Sequence, residues 1–187
     1  MKIAILLGSV RMGRQTHKAA YYLADKLENR NIEADLLDLA EIPLPVMGGQ
    51  ANETETEENI SIISSLLNDA DALILVTPEY HGSFSGVLKN ALDHFTPEFR
   101  KKPVGVVAAS AGRMAGINAS TQLQHVILSM GAYPMPLKLL VPGIHEAFDE
   151  EFIPRNEKIV TSAEKFLDEF IWFAEALHLK KTEEAAA

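Results

Sequence analysis

Lys2-Ile3-Ala4-Ile5-Leu6-Leu7 runs without a break into Gly8-Ser9-Val10-Arg11-Met12-Gly13-Arg14-Gln15-Thr16-His17. A short, continuous apolar run is how a strand covered on both faces reads. The polar, glycine-containing stretch after it reads as a loop. Over about 15–29, Ala19, Ala20, Leu23, Ala24 and Leu27 recur at the spacing of an amphipathic helix. Strand, loop and helix in this order form the first unit of an α/β fold.

The unit recurs along the chain. Segment 33–39 reads as a second strand, and 71–77 (Asp-Ala-Leu-Ile-Leu-Val-Thr) is the clearest buried strand. A loop at 78–85 leads to a helix at about 86–95. Segment 103–110 is another buried strand, followed by a helix at about 117–130 that Gly131 is placed to end. Ala132 and Tyr133 are expected to open a short fifth strand, with a proline-containing loop from there to about 155. A last amphipathic helix spans about 156–178.

Segment 40–58 reads as a long loop whose acidic run, 53–58, precedes a helix at about 58–68. One domain is expected over 1–179, with 180–187 a polar tail that frays. Strands alternating with helices imply a parallel sheet covered on both faces. Ligands of such sheets bind beyond the C-terminal strand ends, at the topological switch point. Loops 8–17, 78–85 and 110–116 leave those ends.

Charge and composition narrow the function classes. A formal charge of −9 argues against nucleic acid as a general partner. The chain has no cysteine, which removes disulfides, thiolate metal sites and a cysteine nucleophile and fits a cytoplasmic location. No apolar stretch approaches the roughly 18 residues of a membrane span. The apolar N-terminus is short and is followed by Arg11 and Arg14 rather than by a cleavage pattern, so it reads as a strand and not a signal peptide. Against the acidic total, residues 1–24 hold no acid and carry Lys2, Arg11, Arg14 and Lys18, which points to a local anion site.

The first loop supplies that site's chemistry. Backbone N–H groups at a helix N-terminus attract phosphate; Ser9 and Thr16 add hydroxyls, and Arg11 and Arg14 add charged donors. Gly8 and Gly13 have P-loop spacing, but Arg14-Gln15 stands where Lys-Ser/Thr is required, and strand 71–77 ends without a metal-binding Asp. The dinucleotide fingerprint is absent, and no acidic residues follow the first strand as a phosphoacceptor receiver would need. A monophosphate grip remains, beside the simpler reading of a turn whose hydroxyls cap the helix. In the second loop, Thr77-Pro78-Glu79-Tyr80-His81-Gly82-Ser83-Phe84-Ser85-Gly86 sets a proline, two planar side chains and two glycines where backbone can meet the edge of a flat heterocycle.

Gly8-Ser9-x-Arg11, then Pro78-Glu79-Tyr80-His81, then Gly86-x-Leu88-Lys89-Asn90-Ala91-Leu92-Asp93 resembles the NADPH-dependent FMN reductase family, which includes azo-dye, quinone and chromate reductases. The resemblance covers about 1–140. It implies a flavodoxin-like three-layer sandwich with a five-stranded parallel sheet in the order 2-1-3-4-5. It implies FMN phosphate at Ser9, Arg11, Arg14, Gln15, Thr16 and His17, and the isoalloxazine ring against Pro78, Glu79, Tyr80, His81, Gly82 and Ser83. Ser110 and Gly112 of the third loop would border the pyrimidine side. Arg14 departs from the small hydroxyl residue of many relatives, and is open to a role on FMN phosphate or on the 2′-phosphate of NADPH. Arg113 is a second candidate for the latter.

The resemblance further implies NADPH or NADH as co-substrate, a small-molecule acceptor, ping-pong turnover and a homodimer or homotetramer. The flavin would carry the chemistry, with no catalytic side chain and no metal; proton donation by His81 is an added hypothesis. Two other readings stay open: a flavodoxin-type electron carrier that docks redox proteins through its acidic surface, and a module that keeps the fold without turnover.

Overall fold

The most apolar run of the sequence occupies the centre of the sheet. In the computed structural model, which describes residues 1–49 and 53–185, strand β3 (Ala72–Tyr80) lies between β1 (Lys2–Leu7) and β5 (Pro103–Ala109). Outside these lie β2 (Glu33–Asp38) and β6 (Tyr133–Val141), giving the order β2-β1-β3-β5-β6, with all four pairings parallel. Counted as parallel strands alone, this is the expected flavodoxin-like order. A two-residue strand, β4 (Ser83–Phe84), adds an antiparallel hairpin to the end of β3.

Alternate residues of β3 serve opposite cores. Ala72, Ile74 and Val76 face a cluster closed by α1 (His17–Glu28) and α7 (Glu157–Ala185). Leu73 and Leu75 face a second cluster, closed by α2 (Glu53–Asp69), α3 (Gly86–His94), the short α4 (Thr96–Phe99) and α5 (Ile117–Ser129). Residues of β3 from Ala72 to Val76 are 0% exposed, which is why the run carries no polar alternation. On the α7 side, Phe166 and Phe170 stack with planes 4° apart over Gly105. A Cβ there would lie 2.8 Å from Phe166 Cζ, so that strand position has room only for glycine.

Four local expectations are corrected. The fifth parallel strand is nine residues long, although it contains Pro134 and Pro136; an edge strand tolerates prolines that a central one does not, and its register with β5 shifts between Val104 and Val106. Helix α2 begins at Glu53, so the stretch read as the end of a loop forms its first turns. The last helix continues to Ala185 through the segment read as a tail, with Lys180 Nζ 3.3 Å from Glu183 Oε2 one turn on. The second loop is largely strand, because β3 runs to Tyr80. His81 (φ +52°) and Gly82 (φ +76°) then make a two-residue turn, whose positive φ values suit a hairpin. Residues 50–52 of the expected loop and 186–187 of the expected tail lie outside the described residues. No described helix is long and apolar enough to cross a membrane.

Candidate active site

The chain leaves β1 for β2 on one side and returns to β3 on the other, so the loops after β1 and β3 diverge at the switch point. There the three strand-end loops surround one cavity of about 160 Å³. Ser9, Arg11, Arg14, Gln15 and Thr16 reach it from the first loop, Pro78, Glu79 and Tyr80 from the end of β3, and Ser110 from the third loop. The Arg11 guanidinium carbon is 6.0 Å from the centroid of the Tyr80 ring, within reach of a cation–π contact. Two residues far apart in sequence thus share one rim. A larger concavity, about 730 Å³, lies between α1 and segment 151–154. It includes none of the three strand-end loops, and position at the switch point outweighs volume here.

Gly8 is fixed by contact. Its N–H donates to Val76 O (2.9 Å), and a Cβ on it would lie 2.5 Å from Leu88 Cβ. Ser85 Oγ donates to Gly8 O (2.5 Å) and accepts from Leu88 N (3.2 Å), capping α3, while Ser85 N donates to Thr77 Oγ1 (3.1 Å). One buried serine therefore ties the first loop to the second. At the start of α1, Thr16 makes no side-chain capping bond, and the first turn holds no acid. The positive end of that helix is left open beside the cavity, with Ser9 (1% exposed) and Thr16 (3%) next to it.

Arg14 is placed differently from an open anion ligand. It faces inward: Nη1 and Nη2 donate to Asp38 Oδ1 (2.6 Å) and Oδ2 (2.5 Å), and Nη1 also donates to Ser9 O (2.5 Å). Asp38, 2% exposed at the end of β2, was not singled out in the sequence; its signal is an acid set between Leu37 and Leu39. Removing one partner of a buried ion pair costs about 3–5 kcal/mol. His17 also turns away. Its ring packs edge-on to Phe152 (5.7 Å) and Tyr21 (6.2 Å) and does not line the cavity. Burial, and then the charges of Arg14 and Lys18, lower its pKa, so it is neutral at pH 7.

The side chains of the second loop mostly brace the site. Glu79 Oε2 accepts from Asn118 N and Ala119 N, both at 3.1 Å, at the N-terminus of α5. The residue that precedes the helix, Gly116, has no side chain to do this. Gln122 of α5 donates to Gly82 O (2.7 Å) and accepts from Ser83 Oγ (2.8 Å). His81, Gly82 and Ser83 thus form a hairpin tip clasped by α5, outside the cavity lining. Ser110 Oγ donates to Gly112 O (3.1 Å) and accepts from Gly112 N (3.2 Å), and Gly112 also lies outside the lining. Ile144 of α6 (Ile144–Ala147) and its neighbour His145 complete the wall; both fall in a segment read only as a loop.

Comparisons with known proteins identify the family and the fold. A family model described as NADPH-dependent FMN reductase matches residues 1–146. The chain is 32% identical over 182 residues to the FMN-dependent NADPH-azoreductase of Staphylococcus saprophyticus, covering 92% of this chain and 95% of that protein. It is 33% identical over 182 residues to the protein of the same name from Staphylococcus aureus, with the same coverage. Among solved structures, FerB of Paracoccus denitrificans, described as a flavoenzyme NAD(P)H:(acceptor) oxidoreductase, superposes with a TM-score of 0.78 at 25% identity, covering 94% of this chain and 97% of that one. An FMN-dependent NADH-azoreductase from Bacillus anthracis, in complex with FMN, superposes at 0.60 with 15% identity over 93% and 100% of the two chains, a likeness of fold alone. The chain belongs to the NADPH-dependent FMN reductase family.

Proposed function

We propose that this protein is an FMN-dependent oxidoreductase that draws hydride from NADPH or NADH and delivers it to a small acceptor such as a quinone, an azo compound, free flavin or a metal oxyanion. The observation that carries the reading is the joint rim of Arg11 and Tyr80 over a cavity that abuts the uncapped N-terminus of α1.

The residues present suit FMN. Two buried hydroxyls, an open helix terminus and an exposed arginine form a donor set for a phosphate monoester. Pro78 and Tyr80 supply a flat wall for an aromatic ring, and the cavity opens to solvent there, since Tyr80 is 37% exposed. Bound FMN would supply the redox chemistry, taking hydride from the nicotinamide and passing it on in a second half-reaction at the same face, which is ping-pong turnover. The chain's own residues bind and orient. Ser9, Thr16, Gln15 and Arg11 hold the phosphate. The backbone from Pro78 to Tyr80 borders the ring, and Glu79 and Gln122 keep that backbone seated on α5. His81 is exposed at the turn, so its place as a proton donor is confined to acceptors that extend beyond the cavity.

The experiment is anaerobic mixing of the FMN-loaded protein with NADPH. Rapid bleaching of the flavin's long-wavelength band, with parallel double-reciprocal plots in the steady state, supports the reductase. A flavin that stays oxidised favours the electron carrier, and a preparation that takes up no FMN favours a module without turnover. A homo-oligomer belongs to the same proposal: Trp172 on α7 is 69% exposed, whereas Phe166 and Phe170 are core. Light scattering at a monomer mass would remove that part.

A further inference from the structure

The two arginines of the first loop have divided their duties. Arg11 is exposed and leans over Tyr80. Arg14 fits its fork onto both oxygens of Asp38 and spends a further N–H on Ser9 O. A guanidinium held by three bonds of this kind has one geometry. Turning it toward a ligand would strand a carboxylate that is 2% exposed and whose other recorded bond is from Ala40 N (3.0 Å). The backbone consequence follows from peptide geometry. Across a trans peptide the C=O and N–H point in opposite directions, and no described peptide is cis. Holding the Ser9 carbonyl on the Asp38 side therefore fixes the orientation of the next amide, Val10 N–H, in the loop that closes the cavity.

We infer that Arg14 is a positioning residue, which locks loop 8–16 into its anion-binding shape through Asp38 and the Ser9 carbonyl, while Arg11 supplies the free positive charge. This rests on the FMN reading. The two roles for Arg14 predict opposite signs at Asp38. If Arg14 were a phosphate ligand, neutralising Asp38 would release it and remove a nearby negative charge, and FMN would bind as well or better. If Arg14 positions the loop, losing Asp38 harms binding although a negative charge has gone.

The test titrates apoprotein with FMN, followed by quenching of flavin fluorescence, in wild type, Asp38→Asn, Arg14→Met and the double variant. Each single change should weaken binding at least about tenfold. The double variant should lie within about threefold of the worse single, because both remove one device. If Arg14→Met fails to fold, Asp38→Asn and the double variant carry the test, since neither strands a carboxylate. Hydrogen exchange of loop 8–16 in apoprotein should quicken in Asp38→Asn and stay unchanged in Arg11→Ala. Tighter or unchanged FMN binding in Asp38→Asn, multiplying losses in the double variant, or unaltered exchange would overturn the inference. A wild type that fails to quench FMN would instead remove the flavin reading beneath it.

Discussion

At the N-terminal end of the sheet, polar groups meet one another. Asp71 accepts from Lys2 N (2.8 Å) and pairs with His178 Nδ1 (2.9 Å). Lys2 Nζ sits 3.0 Å from Glu33 and 2.9 Å from Asp35, and Lys102 Nζ caps the C-terminus of α2 at Leu67 O and Asn68 O. At the C-terminal end, α1 begins without a side-chain cap and Arg11 is exposed. The charged groups that are paired there, Arg14 with Asp38 and Glu79 with the amides of α5, hold loops in place. One end pairs its polar groups with one another, and the other leaves a helix terminus and an arginine open, as the proposed FMN site requires.

Changes at the two ends should therefore separate folding from binding. Outside the Arg14–Asp38 pair, the largest effect is expected for Gly8→Ala, where the new methyl meets Leu88 Cβ at 2.5 Å. Overpacking of this kind costs about 1–3 kcal/mol, and because Gly8 O anchors Ser85, FMN binding should fall with it; chemical denaturation and FMN titration read both. Thr16→Asp should split the two quantities. At a position 3% exposed the new charge gains from the helix dipole and loses hydration, so apoprotein stability should change by no more than about 1 kcal/mol, yet it meets the phosphate head-on and should weaken FMN at least about tenfold, or about 1.4 kcal/mol. Unchanged FMN affinity would separate the phosphate from α1.

Asp71→Ala, at the other end, should cost about 1 kcal/mol of stability and leave FMN affinity alone. The smallest effect concerns pH. Burial lowers the Lys102 pKa from 10.5 to about 8. Between those values the folded protein sheds a proton that the unfolded chain keeps, so this lysine's contribution to stability rises with pH. The difference in Tm between wild type and Lys102→Met should move in favour of the wild type from pH 7 to pH 10. Movement the other way would contradict the assignment.

Much of the fold was legible because burial on both faces leaves an unbroken apolar run, and Ile3–Leu7, Leu73–Val76 and Val104–Ala109 are such runs with glycine as their only interruption. Strand β6 was legible only at its start, because its edge position admits the prolines that argue against a strand elsewhere. Of the residues expected at the candidate site, Ser9, Arg11, Thr16, Pro78 and Tyr80 line one cavity, because there residue chemistry and position at a strand end coincide. Contacts with a distant partner were not legible. Nothing local at Arg14 signals its contact with Asp38, 24 residues away. The bonds of Glu79 and Ser83 to α5, about 40 residues further on, are equally invisible locally.

A crystal structure of the protein soaked with FMN tests the central claim most directly. The account predicts the phosphate at the N-terminus of α1 between Ser9 and Thr16, the ring along Pro78–Tyr80, and Arg14 still on Asp38. FMN seated elsewhere, with the space between Arg11 and Tyr80 filled by solvent, would contradict it.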